Sequence, residues 1–212
     1  PYIVGFLCGA AIGSYYSTND VLIMMIGESS PTNLRSSCMS AQFIVTAVFV
    51  YYIDHYTEIS TKVLIPFSNG KYIDMGIMWL PFVFFVFLGT TNGANFTDGL
   101  DGLATSVTIL IATFFTVVAL GMYSEITPVT GAVVGSLLGF LVYNSYPAKV
   151  FMGDTGSLAL GATIGSIAIL TRHEILLILI GIVFVIETLT CIIQRIYYNL
   201  TKKYFHKKIP LS

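Results

Sequence analysis

Charged side chains are scarce in this chain. Only 10% of its 212 residues are Asp, Glu, Lys or Arg, whereas 55% are hydrophobic and the mean hydropathy is +0.82. Because soluble domains carry about 25% charged residues, this composition excludes an ordinary soluble domain. Only helices and closed barrels satisfy backbone polar groups in lipid, and the apolar runs here are continuous instead of alternating with period two. The sequence therefore predicts an all-α, polytopic bundle of transmembrane helices.

Cysteine and net basic charge are also in short supply. The three cysteines, Cys8, Cys38 and Cys191, are odd in number, which favours packing roles over disulfides or metal ligands. The net charge is −1 and no basic stripe is interleaved with aromatic residues, so no nucleic-acid partner is expected. Pro1 opens the chain in apolar sequence, with neither a start Met nor the basic stretch of a signal peptide, so we expect a fragment.

The apolar runs set the expected number of spans. A membrane-spanning helix needs about 20 residues, with about 17 as the short limit. Residues 2–16 are slightly short for a span, and residues 21–27 are too short to cross alone. The other predicted spans cover residues 39–56, 77–91, 100–123, 130–146, 157–170 and 175–198. We therefore expect about six to eight spans within a single transmembrane domain, residues 1–212.

The segments between the spans give a topology. Residues 57–76 contain Asn69-Gly70 between two apolar segments, which predicts a small β-hairpin outside the membrane. Alternation of the later spans places seven Lys and Arg residues on one side and three on the other, and the side with the excess is cytoplasmic by the positive-inside rule. The hairpin is then extracytoplasmic. The segments on the cytoplasmic side are residues 92–101, 147–157 and 199–212.

The polar stretch from Asn92 to Leu103 stands out between apolar runs. It contains Asp98 and Asp101, three residues apart at the predicted start of the helix over residues 100–123. Side chains at i and i+3 share one helical face, so both carboxylates can point at one ligand. The alternative is that Asp98 is a helix N-cap and Asp101 an acid of the first turn.

A second polar stretch carries Asp154 among small residues just before another apolar run. Mg²⁺ prefers oxygen ligands, and one or two carboxylates together with substrate phosphates usually hold it. Asp154 with Asp98 or Asp101 could supply that set. The alternative is that Asp154 or Ser157 caps the following helix. Phe151 could stack on a planar ring, or it could anchor the chain at the membrane interface.

A transporter or channel could also line its path with these acids. The acids would then be expected near the middle of the membrane, on broken helices. Here they lie at predicted helix ends on one surface, beside Lys149. This placement favours a site at the membrane surface.

Three segments of the sequence carry motifs with a known pattern: TTNGANFTDGLDGLA (residues 90–104), YPAKVFMGDTGSLALG (residues 146–161) and IETLTCIIQ (residues 186–194). These motifs resemble those of the phospho-N-acetylmuramoyl-pentapeptide transferases of bacterial peptidoglycan synthesis, and the resemblance extends over about residues 42–211. It implies transfer of phospho-N-acetylmuramoyl-pentapeptide from a UDP carrier to undecaprenyl phosphate with Mg²⁺, giving lipid I and UMP. It also implies the bacterial inner membrane, surrounding lipids, and an active site on the cytoplasmic face. The oligomeric state stays open, with a homodimer among the alternatives.

The resemblance also implies roles for individual residues. Asp154 would bind the Mg²⁺. The catalytic residues would be Asn95, Asp98 and Asp101, and the uridine would be bound by Gly99, Leu100, Phe151 and Asn144.

The chain departs from the family pattern in one internal region. The family has an adjacent Asp-Asp pair at the end of an earlier span and a lysine before the glutamine that aligns with Gln42, and neither is present in residues 24–42. The family's triple-histidine segment is also missing from this sequence. We therefore expect nucleotide and metal binding without turnover. Two other interpretations stay open, namely a transferase of N-acetylhexosamine 1-phosphate to polyprenyl phosphate and an inactive remnant of the family.

Overall fold

The computed structural model describes residues 31–56, 61–68 and 70–205. The predicted segments 2–16, 21–27 and 206–212 lie outside the described residues, as do residues 57–60 and Asn69 of the predicted hairpin. The described elements, in chain order, are α1 (Pro31–Tyr56), β1 (Lys62–Leu64), β2 (Tyr72–Asp74), α2 (Trp79–Thr97), α3 (Leu103–Gly121), α4 (Thr127–Asn144), α5 (Gly153–Leu170), α6 (Glu174–Ile180) and α7 (Ile182–Phe205). A turn of 3-10 helix, Gly76–Met78, leads into α2.

Most of these helices are long and apolar enough to cross a membrane. Within the described residues, four spans pass on length and composition: Gly76–Thr97 with 22 residues, α3 with 19, and α4 and α5 with 18 each. At about 1.5 Å of rise per residue, 18 residues cover about 27 Å, close to the hydrocarbon thickness of a bilayer. The mostly helical architecture is confirmed, with four or five candidate membrane-spanning helices in the described residues. The predicted six to eight spans also drew on residues 2–16 and 21–27, which lie outside the described residues, and α1 is helical but is not among the candidates.

The predicted span over residues 175–198 is not one straight helix. Helices α6 and α7 pass the same test only as a pair, and they meet at an angle of 75°. Gly181 separates them, and its backbone N–H donates to the Leu177 carbonyl to end α6. The sequence predicted one straight span because the apolar pattern continues through the bend.

The predicted hairpin is present as a two-stranded antiparallel sheet. Lys62 pairs with Asp74 and Leu64 with Tyr72. The central residue of β1, Val63, is 1% exposed and packs in one core cluster with Trp79 at the start of α2. The Asp74 carboxylate accepts hydrogen bonds from the Thr61 hydroxyl at 2.5 Å and the Gly76 N–H at 3.0 Å. These contacts hold the hairpin against the beginning of α2.

Helices α2 and α5 form the centre of the bundle because small residues let their backbones approach closely. A Cβ added at Gly161 would lie 2.5 Å from the Thr90 carbonyl oxygen and 2.6 Å from the Thr91 Cα. The hydroxyls of both threonines donate within α2, to the carbonyls of Val86 and Phe87. Neither threonine hydroxyl is therefore left unpaired where the two helices meet.

The chain direction places two connections at one end of the bundle. Helix α2 runs away from the hairpin, α3 returns toward it, and α4 runs away again. The turn between α2 and α3 and the loop between α4 and α5 therefore lie together, at the opposite end of α2 from the hairpin. These two connections, residues 98–102 and 145–152, carry most of the candidate site residues.

Candidate active site

The polar stretch at the end of α2 is largely helical. The Asn92 side chain donates to the Leu88 carbonyl at 2.8 Å, and the Thr97 hydroxyl donates to the Gly93 carbonyl at 2.7 Å. These local bonds satisfy the polar side chains without breaking the helix, which ends at Thr97. The predicted loop over residues 92–101 is therefore helix up to Thr97.

The expected placement of Asp98 and Asp101 on the first turn of the next helix is wrong. Asp98 is the C-cap of α2, and α3 begins only at Leu103 after Gly102, whose φ of 74° favours glycine. Asp98 is therefore not an N-cap, and the two acids lie in a turn and do not share a helical face. Any convergence of their carboxylates depends on tertiary contacts.

The Asn95 side chain, near the end of α2, contacts the beginning of α5. Its amide donates to the Asp154 carboxylate at 3.1 Å and to the Ser157 hydroxyl at 3.0 Å. Asp154 lies in the first turn of α5, where the N-cap is Met152 and makes no side-chain capping bond. Neither Asp154 nor Ser157 caps α5, because the helix already begins at Gly153. Ser157, which sequence reasoning assigned only to capping, belongs to the same hydrogen-bonded cluster.

Asp98 lies beside Asp154 in the same cluster. Partial burial and then the negative charge of Asp154 raise the pKa of Asp98, whereas a hydrogen bond from the Gly153 backbone N–H acts in the opposite direction. The two carboxylates therefore repel each other, and the repulsion falls when a cation binds between or beside them.

Asp101 and Asn144 lie in a second polar group at the same end. The Asp101 carboxylate accepts a hydrogen bond from the Ala148 N–H at 3.0 Å. The buried Asn144 side chain accepts from the Thr105 hydroxyl at 2.6 Å and donates to the Val150 carbonyl at 2.9 Å. Thr105 had not been singled out from the sequence, because threonine is frequent in these helices and carries no distinguishing signal.

The predicted uridine-binding residues lie on the surface at this end, apart from Asn144. Phe151 is 72% exposed and Leu100 is 70% exposed, and the neighbouring Gly99 is also exposed. Large exposed apolar side chains next to polar loops are available to a planar ligand.

The donor set suits a hard divalent cation that also binds substrate. Among the described residues no group of three or more His, Cys, Asp or Glu side chains could hold a metal ion. Two carboxylates, Asp98 and Asp154, lie close enough that the charge of one shifts the pKa of the other. This pair matches the way Mg²⁺ is held by one or two carboxylates with phosphate oxygens and water completing its shell.

The comparison with protein families gives the class of this apolar helical bundle with acids at one end. The model of glycosyl transferase family 4 matches residues 31–172, and the chain belongs to this family. Three relatives named phospho-N-acetylmuramoyl-pentapeptide-transferase are similar to it. The Clostridium perfringens protein is 42% identical over 193 residues, which are 91% of this chain and 60% of the relative. The Clostridium kluyveri protein is 44% identical over 168 residues (79% and 53%), and the Clostridium acetobutylicum protein is 46% identical over 171 residues (80% and 53%).

The chain thus spans between about half and three fifths of the length of these relatives.

Proposed function

We propose that this chain carries the nucleotide and metal site of a phospho-N-acetylmuramoyl-pentapeptide transferase. The reaction is transfer of the phospho-sugar-pentapeptide from UDP to undecaprenyl phosphate, giving lipid I and UMP. The observation that carries the proposal is the contact of Asn95 with Asp154, beside Asp98, at the surface end of the two central helices. The names of the relatives supply the substrate class.

The chemistry requires charge neutralisation and positioning more than a covalent intermediate. An oxygen of the lipid phosphate forms a bond to the sugar-bearing phosphorus, and the bond from that phosphorus to the bridging oxygen breaks as UMP leaves. A Mg²⁺ held by Asp154 and Asp98 would supply charge neutralisation at the diphosphate. Asn95 orients the Asp154 carboxylate by donating to it, and Ser157 holds Asn95 in place.

The nucleoside would lie across the two connections. We propose that Phe151 stacks on the uracil ring, that Gly99 and Leu100 contact the uridine, and that Asp101 and Asn144 complete the pocket. The exposure of Phe151 and Leu100 supports this proposal, because both side chains are largely accessible and lie in the two connections.

The site end of the bundle is proposed to be cytoplasmic. The Lys and Arg excess supports this orientation, and so does the need of the enzyme to meet a water-soluble nucleotide. The hairpin of β1 and β2 is then extracytoplasmic. The location is proposed to be the inner membrane of a bacterium, with lipids around the bundle and with a homodimer as one alternative for the assembly.

Substrate choice tests the proposal. The purified chain in detergent with Mg²⁺ is offered UDP-N-acetylmuramoyl-pentapeptide or UDP-N-acetylglucosamine, and binding is measured by calorimetry. We expect tighter binding of the muramoyl substrate. Preference for UDP-N-acetylglucosamine would instead favour the hexosamine-phosphate transferases, and binding of neither would contradict the proposal.

Turnover is tested separately. With undecaprenyl phosphate added, UMP release should be slower by several powers of ten than for a full-length relative, because the Asp-Asp pair and the lysine of the family are absent from residues 24–42. A release rate close to that of the relative would show these groups to be dispensable.

A further inference from the structure

Thr105 makes a different hydrogen bond from the other buried threonines of the helices. The other buried threonines of the described helices and their ends each donate to a carbonyl three or four residues earlier in the chain; they are Thr46, Thr90, Thr91, Thr97, Thr108, Thr130 and Thr171. Thr105 instead donates at 2.6 Å to the side chain of Asn144 on α4, and both residues are buried, with 0% and 2% exposure. Its hydroxyl therefore connects the first turn of α3 to the last residue of α4.

The direction of this bond follows from the chemistry of the next one. The Val150 carbonyl can only accept, so the amide nitrogen of Asn144 must face it, at 2.9 Å. The amide oxygen of Asn144 then faces Thr105, whose hydroxyl must donate. A flipped amide would place two oxygens against each other at Val150, an arrangement without a hydrogen bond. The Val150 carbonyl thus fixes the amide orientation, and the Thr105 hydroxyl supplies the donor that the buried Asn144 oxygen needs in that orientation.

Two further contacts fasten the same loop to the start of α3. The Ala148 N–H donates to Asp101 at 3.0 Å. A Cβ added at Gly102 would lie 3.4 Å from the Ser145 Cα, so the two backbones are in close contact. The loop over residues 145–152 carries Phe151 and leads directly into the turn of α5 that contains Asp154.

We propose that Thr105 is a positioning residue for the nucleotide site, acting through Asn144 on the loop over residues 145–152. This inference rests on the proposed function, because the loop matters for binding only if Phe151 and Asp154 contact a nucleotide. Thr105 itself touches no substrate. Its role is to keep the loop in one conformation, so that the ring of Phe151 and the carboxylate of Asp154 are preorganised for the ligand.

The test uses three variants of the whole chain in detergent. Thr105→Val keeps the branched shape and removes the donor, Thr105→Ser keeps the donor, and Thr108→Val removes a buried hydroxyl of the same helix that donates only to the Ala104 carbonyl. The probe is UMP with Mg²⁺, and its Kd is measured by calorimetry. Hydrogen exchange of the loop amides and the thermal unfolding midpoint are measured on the same samples.

We expect Thr105→Val to raise the Kd for UMP by about tenfold or more, the range for leaving a buried polar group without its partner. Exchange of the Ala148, Lys149 and Val150 amides should rise in the same variant. Thr105→Ser should restore both, and Thr108→Val should change neither. If Thr105→Val does not fold, Thr105→Ala removes the same donor and replaces it in the comparison.

Two results would overturn the proposal: unchanged loop exchange in Thr105→Val, or an equal rise in Kd for Thr108→Val. If the unmodified chain binds no UMP, the proposed function is wrong. The exchange data alone then decide whether Thr105 orders the loop.

Discussion

At the scale of single residues, the site consists of carboxylates held by neutral donors. The Asp154 carboxylate accepts a hydrogen bond from the Asn95 side-chain amide, and the Asp101 carboxylate accepts one from a backbone N–H of the neighbouring loop. The scarcity of acids in the sequence singled out Asp98, Asp101 and Asp154 as candidates. It did not indicate which of them approach each other, since that depends on contacts between residues far apart in the sequence, such as Asn95 and Asp154, which are 59 positions apart.

The titration of Asp98 is the prediction at this scale. Burial and then the charge of Asp154 raise the pKa of Asp98, so Asp154→Asn should lower it part of the way toward its ordinary value, with the effect of burial remaining. A carboxyl with a raised folded-state pKa stabilises the fold below its unfolded pKa, and this contribution is lost as the pH rises through the raised value. Mg²⁺ competes with the proton, so Mg²⁺ affinity should fall as the pH drops through the raised pKa.

Carbon-13 NMR of the Asp98 carboxyl in detergent micelles measures this titration. An Asp98 pKa at or below the ordinary value, or one that Asp154→Asn leaves unchanged, would contradict the assigned neighbourhood.

At the scale of elements, the contact of α2 with α5 sets the distance between Asn95 and Asp154. Each residue lies within about one turn of its helix end, so a shift of either helix moves its polar group directly. Gly161 makes the close approach possible because a side chain there would meet backbone atoms of Thr90 and Thr91.

Gly161→Ala is the prediction at this scale. Its added methyl meets backbone that cannot rotate away, so the free energy of unfolding should fall by about 1–3 kcal/mol, the usual range for overpacking. Gly139→Ala on α4 is the matched control, because nothing lies within 4 Å of a Cβ added there. Denaturant titration in mixed micelles measures both. Equal free energies of unfolding for the two variants would contradict the close contact of α2 with α5 at Gly161.

The elements also show where sequence reasoning succeeds and fails. The helices, the hairpin and the membrane class followed from apolar runs and from Asn69-Gly70. The predicted helix boundary was wrong where polar side chains form hydrogen bonds within the helix, as those of Asn92 and Thr97 do. The bend at Gly181 was not predicted because the apolar pattern continues through it. Thr105 was not singled out because it differs from the other threonines in its hydrogen-bond partner and not in its residue type.

At the scale of the whole molecule, the polar connections lie at one end and the hairpin at the other. The topology prediction places Lys149 on the cytoplasmic side and Lys71 outside, and both side chains are exposed. In a variant without native cysteines, Lys149→Cys and Lys71→Cys should be labelled by an impermeant reagent from opposite sides of the membrane. Labelling of both from the same side would contradict the proposed orientation.

We propose above all that Asp154 holds a divalent cation together with a uridine nucleotide. Calorimetry of UMP binding with and without Mg²⁺ tests it most directly, on the unmodified chain, Asp154→Asn and Glu125→Gln. Asp154→Asn keeps the side-chain volume but removes the charge, and Glu125→Gln removes an exposed charge between α3 and α4, at the hairpin end. The account predicts that Mg²⁺-dependent UMP binding is lost only in Asp154→Asn, with the unfolding midpoint unchanged. The same Kd and the same Mg²⁺ dependence in all three proteins would contradict it.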